Sequence, residues 1–353
     1  MKPNPRVERS VTPPPTPRQI FDYLDRYVVG QDRAKRTVAI AAYNHLKRCA
    51  QKTPGAKRLI KKSNLLLIGP TGSGKTHIAR TLAGCLEVPF VVADATEYTE
   101  AGYYGKDVEV MIGELLHHAD QDVELAQRGI VFIDEIDKIA RRSQGARNGA
   151  GSRDIGGEGV QQALLKLLEG RELFVPLNVT QHWNKHDFVQ VDTSDILFIA
   201  AGTFSDLALY GDGDKTIGML GSDGRDKKKQ RVGSKELSDY GMLPELLGRL
   251  PVIVQLDALD EAQLVGVLSG PPDSIVREYQ ALFAADDIKL ELTDGALREI
   301  VRFAVARRVG ARGLRGIVEE VCHDLMFEAP ERRGETVKVD AAHVRERLAE
   351  VER

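Results

Sequence analysis

Two short segments carry residues whose types and order could do chemistry. The first is Gly69-Pro70-Thr71-Gly72-Ser73-Gly74-Lys75-Thr76. Its glycines leave no Cβ in the way, so successive backbone N–H groups can close around phosphate oxygens. Lys75 brings a compact positive charge to the β- and γ-phosphates of a nucleotide, and the Thr76 hydroxyl is of the right type to ligate Mg²⁺. The segment follows the apolar run Leu65–Ile68 and precedes a helical stretch, His77–Leu86. That strand–loop–helix setting is what a phosphate-binding loop requires. The second segment is Ile130-Val131-Phe132-Ile133-Asp134-Glu135. An apolar strand ending in two carboxylates delivers them to the sheet edge where ligands bind in open α/β sheets. Asp134 would hold Mg²⁺ through water, and Glu135 would orient and activate an attacking water. The pair of segments therefore points to ATP and Mg²⁺, with hydrolysis rather than storage of the nucleotide. Gly69 to Thr76, His77 and Asp134 are the expected nucleotide contacts.

Such residues need a scaffold. Five short apolar runs are well separated: Leu65–Ile68, Pro89–Ala93, Ile130–Ile133, Ile196–Ala200 and Val252–Leu256. Runs that are apolar on both faces suit a parallel sheet covered by helices, and the gaps between them accommodate crossover helices such as Val160–Leu168. Beyond Leu256 the pattern becomes helical, with stripes at Ile275–Phe283, Leu297–Val305 and Ile317–Met326. The expected fold class is α/β: a large domain with a parallel five-stranded sheet over residues 21–256, then a smaller, mainly helical domain over 257–353. Residues 1–20 are rich in Pro, Arg and Thr and read as a disordered linker. Gly145–Gly159 and Gly211–Gly233 read as long loops of the kind that are functional or disordered.

Composition removes other classes. The chain has 353 residues, 49 Lys+Arg against 52 Asp+Glu, and a net charge of −3, which argues against a surface that coats nucleic acid or anionic lipid. No stretch approaches the roughly 18 apolar residues of a membrane helix. Cys49, Cys85 and Cys322 are far apart and form no CxxC pair, so neither a disulfide framework nor a cysteine zinc site is expected. His182 and His186 lack a third metal ligand nearby. A cytoplasmic protein fits best.

The phosphate loop with Ile-Asp-Glu-Ile-Asp places the chain among sequences that resemble AAA+ ATPases. Tyr27–Gln31, Ala93–Glu109, Arg128–Arg141, Gly157–Gly170, Phe188–Phe204, Leu243–Val252 and Gly310–Arg315 narrow the resemblance to the ClpX family of ATP-driven protein unfoldases. It runs from about Pro15 to Pro330. The resemblance implies a homohexameric ring that threads unfolded or tagged proteins through its pore and delivers them to the ClpP peptidase. It implies that Val28 and Val29 pack on adenine. Arg249 matches the arginine finger that reaches a neighbour's nucleotide, and Arg312 matches the sensor-2 arginine, Arg315 being structural. Thr203 lies where sensor 1 is expected. Tyr103 and Tyr104 match the pore loop, Tyr103 gripping substrate. Tyr104 and Lys106 depart from the family pattern and would make that loop bulkier and more basic. Gly145–Arg153 corresponds to a second pore loop, and Trp183, Lys185 and His186 fall near a basic pore-entrance loop. Ile217-Gly218-Met219 matches the tripeptide that docks on ClpP, with Met for the usual Phe. The family's cysteine-rich zinc-binding domain has no counterpart here, and the chain starts in the linker that would follow it.

Three other readings stay open at this level. One is a ClpX-like remodelling chaperone without a peptidase, suggested by Met219. A second is a nucleic-acid motor, since aromatics can stack on bases. The third is an ATP-binding switch without turnover, against which Glu135 and Arg249 weigh.

Overall fold

The computed structural model describes residues 14–51, 59–98, 106–141, 157–176, 188–205, 207 and 232–351. Tyr103, Tyr104, Gly145–Arg153, His182, Trp183, Lys185, His186 and Ile217-Gly218-Met219 lie outside the described residues.

The five apolar runs form strands β1 (Leu65–Ile68), β2 (Phe90–Asp94), β3 (Ile130–Asp134), β6 (Leu197–Gly202) and β7 (Val252–Gln255). Between β3 and β6 lie β4 (Glu172–Pro176) and β5 (Phe188–Asp192). The five make one sheet in the order β2-β3-β6-β1-β7, every neighbouring pair parallel. Successive side chains along a strand face opposite sides, and both sides are buried. Leu66, Ile68, Val131, Ile133, Phe198 and Ala200 point into one core. Leu65, Leu67, Ile130, Phe132, Leu197 and Ile199 point into the other. This is why each run reads as continuously apolar rather than alternating. Truncating a residue such as Phe132, which is fully buried, to Ala is expected to cost about 3–5 kcal/mol.

A third core, from Leu264 to Leu348, belongs to the C-terminal unit alone. It contains Cys322, whose thiol burial pushes up to about 12, in keeping with a packing role. Two elements there and two in the large unit are absent from the sequence reading. Strands β8 (Lys289–Leu292) and β9 (Thr336–Val339) pair in parallel, and β4 and β5 pair antiparallel outside the main sheet. The linker expectation for residues 1–20 fails at its end, because a helix starts at Pro17. Thr16 accepts from the Gln19 backbone at 3.3 Å while the Gln19 side chain accepts from the Thr16 backbone at 2.8 Å, and Pro17 sits at N1. That reciprocal cap nucleates the helix inside a proline-rich stretch, and Ile20 and Leu24 bury its apolar face.

Candidate functional site

The parallel register gathers the carboxyl ends of all five strands. Ile68 pairs with Gly202 on one side and Gln255 on the other, and Asp94 pairs with Asp134. Gly69 N–H donates to Gly202 O at 3.2 Å, and Leu256 N–H to Ile68 O at 2.7 Å, so the loop after β1 leaves the sheet in a fixed direction.

That loop runs into the helix Lys75–Leu86, which opens at Lys75 rather than at His77. Gly72 has φ +79°, a left-handed conformation natural to glycine. A Cβ at Gly72 would also lie 3.3 Å from Ala311 N, so the residue type lets the C-terminal helix Gly310–Glu328 abut the loop. The Lys75 ammonium is buried and donates to Gly69 O at 2.7 Å and Pro70 O at 3.0 Å. Burial holds it below the ordinary lysine range; Asp134 pulls it back up and Arg312 adds to the lowering. An anionic phosphate would relieve that cost. Thr76 Oγ1 donates to Asp134 Oδ2 at 3.4 Å, which puts the two expected Mg²⁺ ligands side by side. Glu135 follows immediately, exposed, with its N–H on Asp134 Oδ1 at 2.9 Å and φ at +55°. A non-glycine residue held in that region stores about 1–3 kcal/mol.

A cavity of about 300 Å³ opens between this loop and the C-terminal helices. One end is polar, walled by Gly72 to Thr76 and by Arg312. The other is apolar, walled by Val28, Val29, Leu259, Val267, Pro271 and Ile275. Val29 packs against the helix Glu261–Ser269 at Gly266, where a Cβ would come within 3.1 Å of Val29 Cγ1. Ser73 and Ser274, both lining residues, carry buried hydroxyls with no partner among the described residues. Orphans of this kind cost about 1–3 kcal/mol each. A cationic, N–H-rich end, an apolar end and unpaired hydroxyls along the wall fit a nucleoside triphosphate, phosphates on the loop and base between the valines and Ile275.

Most of the expected contacts come together here: Val28, Val29, Gly72, Ser73, Gly74, Lys75, Thr76, His77 and Arg312 all line the cavity. His77 also meets Tyr27 O at 3.0 Å. Gly69 and Pro70 supply the carbonyls on Lys75. Thr71 O lies 3.9 Å from where a Cβ on Gly310 would be. The two arginines of Gly310–Arg315 separate cleanly, since Arg315 makes a bidentate pair with Glu278 at 2.7 and 2.5 Å. Thr203 is not on the cavity wall. Its hydroxyl donates to the buried carboxylate of Asp137 at 2.9 Å. Arg249 lies elsewhere again. Its carbonyl accepts from Asn64 Nδ2 at 2.9 Å, just before β1, which places it at the amino edge of the sheet, opposite the cavity. Its half-exposed guanidinium pairs with Glu169 at 2.8 Å. Lys106 pairs with Glu97 at 2.9 Å and lies 3.7 Å from Glu114.

Residues 60–253 match the family described as AAA domain (Cdc48 subfamily), and residues 259–344 match the C-terminal, D2-small domain, of ClpB protein. The chain is 47% identical over 319 residues to the ATP-dependent Clp protease ATP-binding subunit ClpX 2 of Wolinella succinogenes, covering 90% of this chain and 79% of that protein. The chain belongs to the ClpX family of AAA+ ATPases. No described helix is long and apolar enough to cross a membrane.

Against that family the sequence reading missed part of the site. Leu259, Val267 and Pro271 were unassigned, and Ile275 was read as core. Gln31 carries no role in the sequence reading. Its side chain accepts from Asp257 N at 3.1 Å and donates to Asp257 O at 2.7 Å and Ser73 O at 3.4 Å. It thus ties the phosphate loop to the start of the C-terminal unit. The Gly30-Gln31 pair before a helix was the available signal, because both residues have positive φ.

Proposed function

We propose that this ClpX-family ATPase is a protein-unfolding motor of a ring hexamer that feeds a ClpP-type peptidase. The observation that carries the reading is the two-sided cavity, with one wall from the phosphate loop and the other from the C-terminal helices. Nucleotide held by both walls fixes their relative placement, and loss of the γ-phosphate frees it, so hydrolysis has a mechanical consequence.

The chemistry assigns roles as follows. Backbone N–H groups of Gly72 to Thr76 hold the phosphates. Lys75 leaves its carbonyl partners to meet the β/γ oxygens, and Arg312 reaches the same phosphates from the opposite wall. Thr76 and Asp134 would hold Mg²⁺, which when bound neutralises charge between the phosphates. Glu135 accepts a proton from the attacking water and turns its lone pair toward the γ-phosphorus. Arg249, at the far edge of its own sheet, serves the nucleotide of an adjacent copy, which is why hydrolysis needs the ring. Tyr103 and Tyr104 grip the substrate chain, and Ile217-Gly218-Met219 docks on the peptidase.

The test is degradation of a stably folded, tagged protein by the purified chain with ClpP and ATP. The expected result is ATP-dependent loss of the substrate. ATP turnover without substrate loss, in the presence of peptidase that binds the ring, would contradict the unfolding role.

A further inference from the structure

Glu135 is exposed and its backbone is strained, so something must hold its turn in place. The candidate is a buried carboxylate two residues later. Asp137 is 5% exposed. Its Oδ2 accepts from Thr203 Oγ1 at 2.9 Å and from Phe204 N–H at 3.2 Å. Phe204 also has a left-handed backbone, φ +48°. Gly202 completes the contact, because a Cβ there would sit 2.8 Å from Asp137 Oδ1. Asp137 therefore joins two strained segments, the turn after β3 and the end of β6, at the carboxyl edge of adjacent strands. The turn is anchored from a second side, where Gln161 Nε2 donates to Ile139 O at 2.8 Å.

We propose that Asp137 is a positioning residue for hydrolysis: by binding the ends of β6 it fixes the turn that aims Glu135 at the water. Thr203 is its partner and not a direct reader of phosphate. Without the Thr203 and Phe204 donors, the turn after β3 is free to relax its left-handed residue, and Glu135 swings away from the reacting atoms. Phosphate binding is untouched, since the loop, Lys75 and Arg312 are held by other contacts. The inference rests on Glu135 being the group that activates water.

The experiment measures kcat, KM and ATP affinity for assembled rings of Asp137→Ala, Asp137→Asn, Thr203→Val and Thr203→Ser, each alone and with Glu135→Gln. Misplacing a catalytic group by about 1 Å costs roughly 100-fold in rate. Asp137→Ala is expected to lose roughly that in kcat with KM within about twofold. Thr203→Val, which removes only the hydroxyl, is expected to lose roughly tenfold, and Thr203→Ser to restore it. In the Glu135→Gln background none of these substitutions is expected to lower the residual rate further, because the group they position is gone. Should Asp137→Ala fail to assemble, Asp137→Asn and Thr203→Val carry the test. Wild-type kcat in both of those variants would overturn the proposal, as would a rise in KM alone or a full additional loss on top of Glu135→Gln. Wild-type turnover in Glu135→Gln itself would instead remove the catalytic reading of Glu135.

Discussion

Strand β1 has a perturbed lysine beyond each of its ends, and the two differ in what surrounds them. Lys75, past the carboxyl end, rests on two carbonyls beside a cavity with orphaned hydroxyls. Lys62, before the amino end, is enclosed. Its ammonium donates to Thr193 O at 2.8 Å and lies 4.5 Å from the Phe198 ring. Burial and then Arg48 push it down to about 7. Arg48 itself pairs with buried Asp195 at 2.8 Å and donates to Ser194 O at 2.8 Å, and His45 and Cys49 close the group at 3.5 Å. A displaced pKa therefore does not identify a site on its own. What distinguishes the carboxyl edge is unfilled space walled by cationic and N–H groups, whereas the amino edge has used its charges on its own backbone. Arg249 is the exception at the amino edge. It is exposed and pairs with Glu169, and the proposed function gives it the nucleotide of a second copy.

The comparison is broken most severely at that exception. Arg249→Ala is expected to lower kcat by roughly 10³–10⁵ while leaving ATP affinity and the fold intact. Steady-state ATPase and binding assays on the assembled ring check this. Substitution within the enclosed group should do the reverse. Arg48→Ala removes the ion pair with buried Asp195 and is expected to cost about 3–5 kcal/mol in unfolding free energy, with KM for ATP unchanged in whatever fraction remains folded. Denaturant titration beside ATPase assays separates the two.

The same group predicts a pH effect. Burial, Lys62 and Arg48 push His45 down to about 4, from an ordinary value of 6.5. Between those values the unfolded chain takes up a proton that the folded chain refuses, so stability is complete above pH 6.5 and declines as pH falls toward 4. The decline should be about 2 kcal/mol between pH 7 and pH 5, measured by urea unfolding, and His45→Gln should flatten that part of the profile. The smallest effect belongs to Arg315. Its pair with Glu278 is exposed, so Arg315→Ala should cost less than about 1 kcal/mol and leave nucleotide affinity alone. Arg312→Ala, three residues earlier, should weaken ATP binding by calorimetry.

Much of this was legible in the sequence. The strands declared themselves because burial on both faces makes each run apolar throughout, and the phosphate loop did because its glycines, Lys75 and Thr76 occupy adjacent positions. The apolar end of the cavity was hidden. Ile275 begins a helix whose next residue, Val276, is core, and nothing in a periodic stripe marks the one member that faces a cleft. Asp137 stood inside the Ile-Asp-Glu-Ile-Asp run, yet its partners Thr203 and Phe204 are brought to it only by the pairing of β3 with β6. The helix at Pro17 was legible in Thr16 and Gln19, whose capping spacing was outweighed by the prolines around it. Strands β8 and β9 are four residues each, too short for alternation to stand out.

The central claim is that a nucleotide base lies between the Val28–Val29 segment and the C-terminal helices. Photolabelling of the whole chain with 8-azido-ATP, followed by peptide mapping, tests it directly. Label on peptides containing Val28–Val29 and Leu259–Ile275, displaced by excess ATP, is the expected result. ATP-displaceable label confined to peptides outside both walls would contradict it.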